Sequence, residues 1–165
     1  GGNNYGDAIR TGINEANGEF ILFMDADGSH SPEFIANLFK YISENDIVIA
    51  SRYVSNGSTQ DNLILRLMSR ILNITYSFVL GLPCNDVSNS YKIYRKDQLK
   101  SIDLTCNNFD IVEEIIFKIY RNNKNIKIKE VPYSFQKRMF GKTKRNLFLF
   151  IVTYVYTIVK LRIMR

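Results

Sequence analysis

The sequence predicts an α/β domain built on a mostly parallel sheet, and three observations carry that prediction. Short apolar runs alternate with amphipathic, helix-like stretches along the 165 residues. One apolar run, Phe20 to Met24, ends in Asp25-Ala26-Asp27-Gly28, with a helix-start signal close behind. Hydrophobic residues make up 45% of the chain and charged residues 23%, which supports one buried core and argues against wholesale disorder.

Taken in order, Tyr5 to Ala16 reads as a helix, with Asn4 as its cap and Ala8, Ile9, Ile13 and Ala16 on one face. Phe20 to Met24 is an apolar strand. Ser31-Pro32-Glu33 places an N-cap residue, a first-turn proline and an acid in the order that opens a helix, here running to about Ile42. Asp46 to Ser51 is a second short strand. The polar stretch Asn56 to Asn62 is a loop, and a helix follows from Leu63 to Leu80. Ser90 to Arg95 alternates as a strand, and Ile126 to Phe135 supplies another. The amphipathic helix Ile111 to Tyr120 lies between them. The chain enters a glycine-rich stretch and a helix with no strand before it, so strands upstream of Gly1 are expected. Residues 1–145 are read as the globular domain and residues 146–165 as a C-terminal helix.

Composition narrows the partners. Net charge is +6 and the pI is near 9.3, which suits an anionic partner such as a nucleotide or a phospholipid. The cations do not gather into a stripe, which argues against nucleic acid. Cys84 and Cys106 have neither CxxC nor metal-ligand spacing and read as reduced, buried thiols of a cytosolic protein.

Asp25 and Asp27 carry the chemistry. Two residues apart in an extended chain, they share a face, with small Ala26 on the other. They stand where a strand of an open α/β sheet delivers its C-terminal end, the edge at which such sheets bind ligands. Two carboxylates there repel unless a cation intervenes. Mg²⁺ or Mn²⁺ fits, because these ions take oxygen ligands and leave positions for substrate phosphates. A plain Asp-Gly turn ending a strand is the competing explanation. An EF-hand loop from Asp25 fails, since His30 and Ala36 occupy the positions that need glycine and glutamate. The stretch Asp25 to Ser29 also resembles the D-x-D-G-T/S of haloacid-dehalogenase-type phosphatases, in which Asp25 would be an aspartyl nucleophile. The second acidic pair of that family is missing, because Ile47 to Ala50 runs into Ser51-Arg52. That enzyme stands as the alternative.

Five stretches, Gly6 to Ile35, Asp46 to Val54, Asp86 to Lys96, Phe109 to Tyr120 and Glu130 to Lys144, fall in the order seen in family-two glycosyltransferases. The chain resembles their branch of dolichyl-phosphate mannosyltransferases and polyprenyl-phosphate sugar transferases. The resemblance implies a GT-A fold, a Rossmann-like nucleotide-sugar domain, whose N-terminal strand and base-binding loop would precede Gly1. It also implies an inverting hexosyltransferase that uses a nucleotide sugar, with Mg²⁺ or Mn²⁺ held by Asp25 and Asp27 and with Ser29 as a further ligand. Arg52, Arg138 and Lys144 match cations that contact donor or acceptor phosphates. Asp86, Glu113 and Glu114 are the candidate acceptor-site carboxylates. One would act as general base toward a sugar hydroxyl, whereas an ionised phosphate acceptor requires none. Two departures stand out: Ser90 where relatives have glycine before an aromatic, and Leu65 where binders of lipid phosphate place an arginine four residues before Ser69. The acceptor is expected to be a polyprenyl or dolichyl phosphate or a glycan. A non-catalytic remnant that binds a membrane surface or a nucleotide is the alternative from a different class.

The tail, Leu147 to Val159 followed by Lys160, Arg162 and Arg165, is apolar and cation-flanked. It is shorter than the roughly 20 apolar residues of a spanning helix. An interfacial helix with Phe148, Ile151, Val155, Tyr156 and Val159 toward the headgroups is expected, and packing on the core is the alternative. The first option makes the protein peripheral on the cytoplasmic face of a membrane.

Overall fold

The computed structural model describes residues 4–137 and 147–163, with side chains from residue 152 onward in the second segment. It contains α1 (Tyr5–Glu15), β1 (Phe20–Phe23), α2 (Ile35–Ile42), β2 (Ile47–Ser51), β3 (Ser58–Thr59), α3 (Leu63–Leu80) and β4 (Lys92–Arg95). These are followed by α4 (Lys96–Lys100), α5 (Ile111–Asn122), β5 (Ile128–Pro132), β6 (Ser134–Phe135) and α6 (Leu147–Ile163). Side-chain caps explain two helix starts: Asn4 Oδ1 accepts from the Asp7 amide, and Asn62 Oδ1 from the Leu65 amide, each at 2.9 Å. The α3 helix stops at Gly81, whose φ of 65° places it in the left-handed region. Ser31 departs from expectation. Its hydroxyl donates to the Glu33 carboxylate instead of capping, and the helix begins as a 3₁₀ turn over Pro32–Phe34.

The main sheet has the order β1-β4-β2-β5. Strands β1, β2 and β5 point the same way, as expected, but β4 is inserted between β1 and β2 and runs antiparallel to both. Its reversal was not legible, because alternation along a strand carries no information on direction. The short β3 and β6 form a separate parallel pair.

Strand β2 is buried over its whole length and serves two cores. Ile47 and Ile49 face a cluster built from Ile13, Tyr76, Leu80, Ile115, Ile116 and Leu161, so α1, α3, α5 and α6 cover that face. Val48 and Ala50 face Leu38 and Ile42 of α2, together with Tyr91, Ile93, Val131 and Tyr133. The result is a three-layer sandwich whose strand ends carry the chemistry. Cys84 and Cys106 are free thiols in the interior.

The C-terminal helix is docked. Leu161 is fully buried in the first core, the Tyr154 hydroxyl donates to Leu72 O of α3 at 2.8 Å, and the Tyr76 and Tyr154 rings meet edge-on at 4.3 Å. Packing on the core and an exposed apolar face therefore coexist, since Val155, Tyr156 and Val159 point outward. The other two residues expected on that face, Phe148 and Ile151, have side chains outside the described residues.

Candidate active site at the carboxyl end of the sheet

Strand β1 ends at Phe23, and the chain then turns through Asp25-Ala26-Asp27-Gly28. Gly28 has a φ of 86°, which a side chain would resist, and this lets the loop fold back on itself. Ser29 and His30 are consequently buried directly beneath the two acids. The Asp25 amide donates to His30 Nδ1 at 2.8 Å, and the Ser90 hydroxyl donates to Asp25 Oδ1 at 3.0 Å. Asp27 Oδ1 accepts from both the amide and the hydroxyl of Ser29, at 3.0 and 2.6 Å. Burial pushes the His30 imidazole below its ordinary range against the pull of Asp25 and Asp27, so both acids lie close to one ring. The Ser29 hydroxyl, expected to reach a metal, is buried and turned onto Asp27, whose orientation it holds.

The residue pair fits a hard divalent cation. Both acids are short carboxylates fixed by neighbours that donate to one oxygen, which is how oxygen ligands are oriented around such ions. Among the described residues, no group of three or more His, Cys, Asp or Glu side chains could hold a metal by itself. An ion held by these two acids would complete its shell with water, or with phosphate oxygens when a diphosphate is bound.

Arg52 and Asp86 were expected in separate roles, and the structure brings them together. The Arg52 Nε and Nη2 donate to the two Asp86 oxygens at 2.9 and 2.7 Å, and the Arg52 amide adds a bond of 2.8 Å. The Asp86 side chain is fully buried and that of Arg52 is 10% exposed, with its guanidinium over the Tyr53 and Phe135 rings. The fork that would grip a phosphate is filled by Asp86, and the carboxylate that would act as a base is filled by Arg52. The pair fastens the turn after β2 to the loop before β4. Glu130 of β5 extends this network, accepting from Ser51 Oγ at 2.7 Å and from the Asn85 and Asp86 amides at 2.8 and 3.0 Å. Lys92 is fully buried, and its ammonium donates to the carbonyls of Val87 and Asn89. Burial pushes that ammonium down to about 8 against the pull of Asp86. Loop 85–90, which ends at the Asp25 partner Ser90, is thus pinned from several sides. Sequence reading missed Glu130 and Ser90, whose partners are distant in sequence, and His30 and Lys92, whose nearby partners are backbone groups met only once the loop has folded back.

Glu113 and Glu114 begin α5 and point to different surroundings. Tyr5, the first residue of α1, has a phenol pushed up to about 12 by burial, then by Asp25, then by Glu113, so these two acids are neighbours of one phenol. Glu114 is engaged elsewhere. It accepts from the Thr105 amide and hydroxyl and from the Cys106 amide at 2.8–3.0 Å, and it pairs with Lys118 at 2.8 Å. Burial raises its carboxyl, but those bonds outweigh burial and leave it below the usual glutamate range. Its stabilising contribution is therefore present above the ordinary value of about 4.3 and is lost as pH falls through the depressed folded value. Glu114→Gln is expected to cost about 3–5 kcal/mol in urea unfolding at pH 7, because Lys118 loses its buried partner. The same variant should flatten the acid side of the stability curve. A Gln variant of unchanged stability but lost activity would return Glu114 to the chemistry. Arg138 and Lys144, the other cations expected to contact phosphates, lie outside the described residues.

A three-layer α/β sandwich with an acid pair at the carboxyl end of its first strand defines a ligand-binding domain of the doubly wound type. The chain belongs to glycosyl transferase family 2, whose description residues 1–103 match. It is 33% identical over 135 residues to polyprenol monophosphomannose synthase of Mycolicibacterium smegmatis, covering 76% of this chain and 49% of that protein. It is also 33% identical over 132 residues to undecaprenyl-phosphate mannosyltransferase of Micrococcus luteus, covering 78% of this chain and 54% of the other. The chain thus spans about half the length of these curated relatives. In fold it is similar to glucosyl-3-phosphoglycerate synthase from Mycobacterium tuberculosis, solved with Mn²⁺, UDP-glucose and phosphoglyceric acid. The TM-score is 0.71 at 13% identity, over 99% of this chain and 56% of that one. These matches set aside the phosphatase alternative and bear out the GT-A expectation.

Proposed function

We propose that this chain forms the metal-binding and acceptor-facing part of an inverting glycosyltransferase that moves a hexose from a nucleotide sugar to a polyprenyl phosphate. The observation that carries the reading is the Asp25–Asp27 pair, held from below by Ser29, His30 and Ser90, in a chain one third identical to two enzymes named for mannosyl transfer to polyprenyl carriers. Mannose is accordingly the first sugar to try. When bound, a divalent cation would neutralise charge building on the departing diphosphate. Asp25 and Asp27 would hold that ion, and Arg138 and Lys144 would supply further positive charge to the phosphates.

An acceptor phosphate oxygen attacks the anomeric carbon as the bond to the nucleoside diphosphate breaks, with inversion. Such an oxygen is already ionised and needs no strong base. Two of the three candidate bases are engaged elsewhere, Asp86 with Arg52 and Glu114 with Lys118, which supports an acceptor that needs no base.

The surface supports a lipid-borne acceptor. Among the described residues, α3 is long and apolar enough to cross a membrane, yet little of it is buried. Leu63, Leu67, Ile71, Ile74 and Phe78 form one exposed stripe at helical spacing, with Phe78 86% exposed. Helix α6 adds Val155, Tyr156, Val159 and Ile163, and the exposed Arg66, Arg70 and Arg162 are neighbours of these apolar residues along the two helices. The sequence alone pointed to the tail, whereas the exposed stripe of α3 is the larger contributor. Both helices would lie on the cytoplasmic face of a membrane, each nearby cation adding about 1 kcal/mol at an anionic surface.

The full-length protein is expected to transfer mannose from a nucleoside-diphosphate mannose to undecaprenyl phosphate in anionic liposomes. EDTA should stop transfer, and Mn²⁺ or Mg²⁺ should restore it. Phe78→Glu with Ile74→Glu should release the protein from the liposomes without weakening binding of the nucleotide sugar. Transfer confined to a glycan would overturn the acceptor assignment, and liposome binding unaffected by the double variant would overturn the α3 surface.

A further inference from the structure

We propose that His30 is a positioning residue for the metal-binding pair, acting through the backbone amide of Asp25. The inference rests on the metal reading of Asp25 and Asp27 given above. His30 follows Asp25-Ala26-Asp27-Gly28-Ser29 in a polar loop, yet only 2% of it is exposed. Its ring is stacked on Tyr91 at 4.7 Å with the planes 17° apart, and the Tyr133 and Phe135 rings meet it edge-on. Two of those rings also hold the loop by its backbone. The Tyr133 hydroxyl donates to Ser29 O and accepts from the Ser31 amide, both at 2.9 Å, and the Tyr91 hydroxyl donates to Ser31 O at 2.6 Å. The imidazole therefore has a fixed place and a fixed direction.

What that direction achieves is specific. The pairing of β1 with β4 stops at Phe23, so the Asp25 amide lies beyond the ladder and needs an acceptor of its own. His30 Nδ1 supplies it at 2.8 Å, which requires the ring proton to sit on Nε2. The bond closes the chain from residue 25 to residue 30 around Gly28 and fixes where the Cα of Asp25 stands relative to Asp27. Ser90 and Ser29 then orient the two carboxylates on that base. Without the acceptor, the amide is left unpaired and the separation of the two acids is no longer set. Loss of such an outer partner costs about 10–100-fold in metal affinity.

The test uses the full-length protein, Mn²⁺ alone as the probe, and the signal of free Mn²⁺ in electron paramagnetic resonance. His30→Phe keeps a ring between Tyr91 and Phe135 but removes the acceptor. It should hold its Tm within a few degrees, weaken Mn²⁺ binding about 10–100-fold and speed hydrogen exchange at the Asp25 amide. His30→Asn places Oδ1 where Nδ1 stood but forfeits the stack, so its Tm should fall while Mn²⁺ affinity stays within about threefold of wild type. Wild-type affinity and slow Asp25 exchange in His30→Phe would overturn the proposal, as would equal loss of Mn²⁺ binding in a folded His30→Asn. If His30→Asn does not fold, affinity and Asp25 exchange in His30→Phe decide alone. Failure of the wild-type protein to bind Mn²⁺ would instead overturn the metal reading, and this inference with it.

Discussion

Asp27→Asn is expected to remove metal-dependent binding of the nucleotide sugar while leaving the fold intact. The two consequences separate because of how the loop is built. Asn keeps an Oδ1 acceptor for the amide and hydroxyl of Ser29, so the bonds that shape the loop survive. The negative charge does not survive, and one of two carboxylates is a large share of a site for which the described residues offer no third acidic, His or Cys ligand. Outer-partner changes alone cost about 10–100-fold in metal affinity, so loss of a carboxylate should cost on the order of 100-fold or more. The check is a titration of nucleoside-diphosphate mannose, with Mn²⁺ and with EDTA, on wild type and variant, beside urea unfolding of both. Binding that resists EDTA and survives the substitution would sink the metal assignment.

Arg52→Ala is expected to act on stability first. Asp86 has a fully buried side chain, and Arg52 gives it both a two-pronged side-chain contact and an amide bond. Removing the guanidinium strands a buried carboxylate, which costs about 3–5 kcal/mol. Removing both partners together, as Arg52→Met with Asp86→Leu, should cost less than the sum of the single changes, because no charge is then left alone. Urea unfolding of wild type, Arg52→Met, Asp86→Leu and the double variant at pH 7 gives the coupling directly. If Arg52→Ala unfolds like wild type and loses only affinity for the nucleotide sugar, the arginine is a phosphate ligand after all.

These two residues also show where sequence reading reaches and where it stops. An arginine just after an apolar strand points toward a ligand-binding edge, and that placement holds. Its partner lies 34 positions away, and no local pattern specifies which of several acids will meet it. A separation of 44 positions hides Glu130, whose carboxylate joins β5 to the loop before β4. By contrast, α3 was legible from Leu63 to Leu80, because Asn62 caps it and Gly81 ends it through bonds and a backbone angle confined to a few residues.

Local chemistry decided the elements, their caps, the Asp25–Asp27 pair and the family the chain belongs to. These depend on side-chain period, on backbone preferences and on spacings of a few residues, all of which are present in the linear chain. Tertiary structure decided that β4 runs backwards between β1 and β2, that Asp86 and Arg52 neutralise each other, and that Glu114 meets Thr105, Cys106 and Lys118. It also decided that α3 turns an apolar stripe outward while α6 is partly absorbed into the core. Burial and pairing are properties of what comes to lie opposite a residue, and that is set only when separated segments of the chain compete for the same interior.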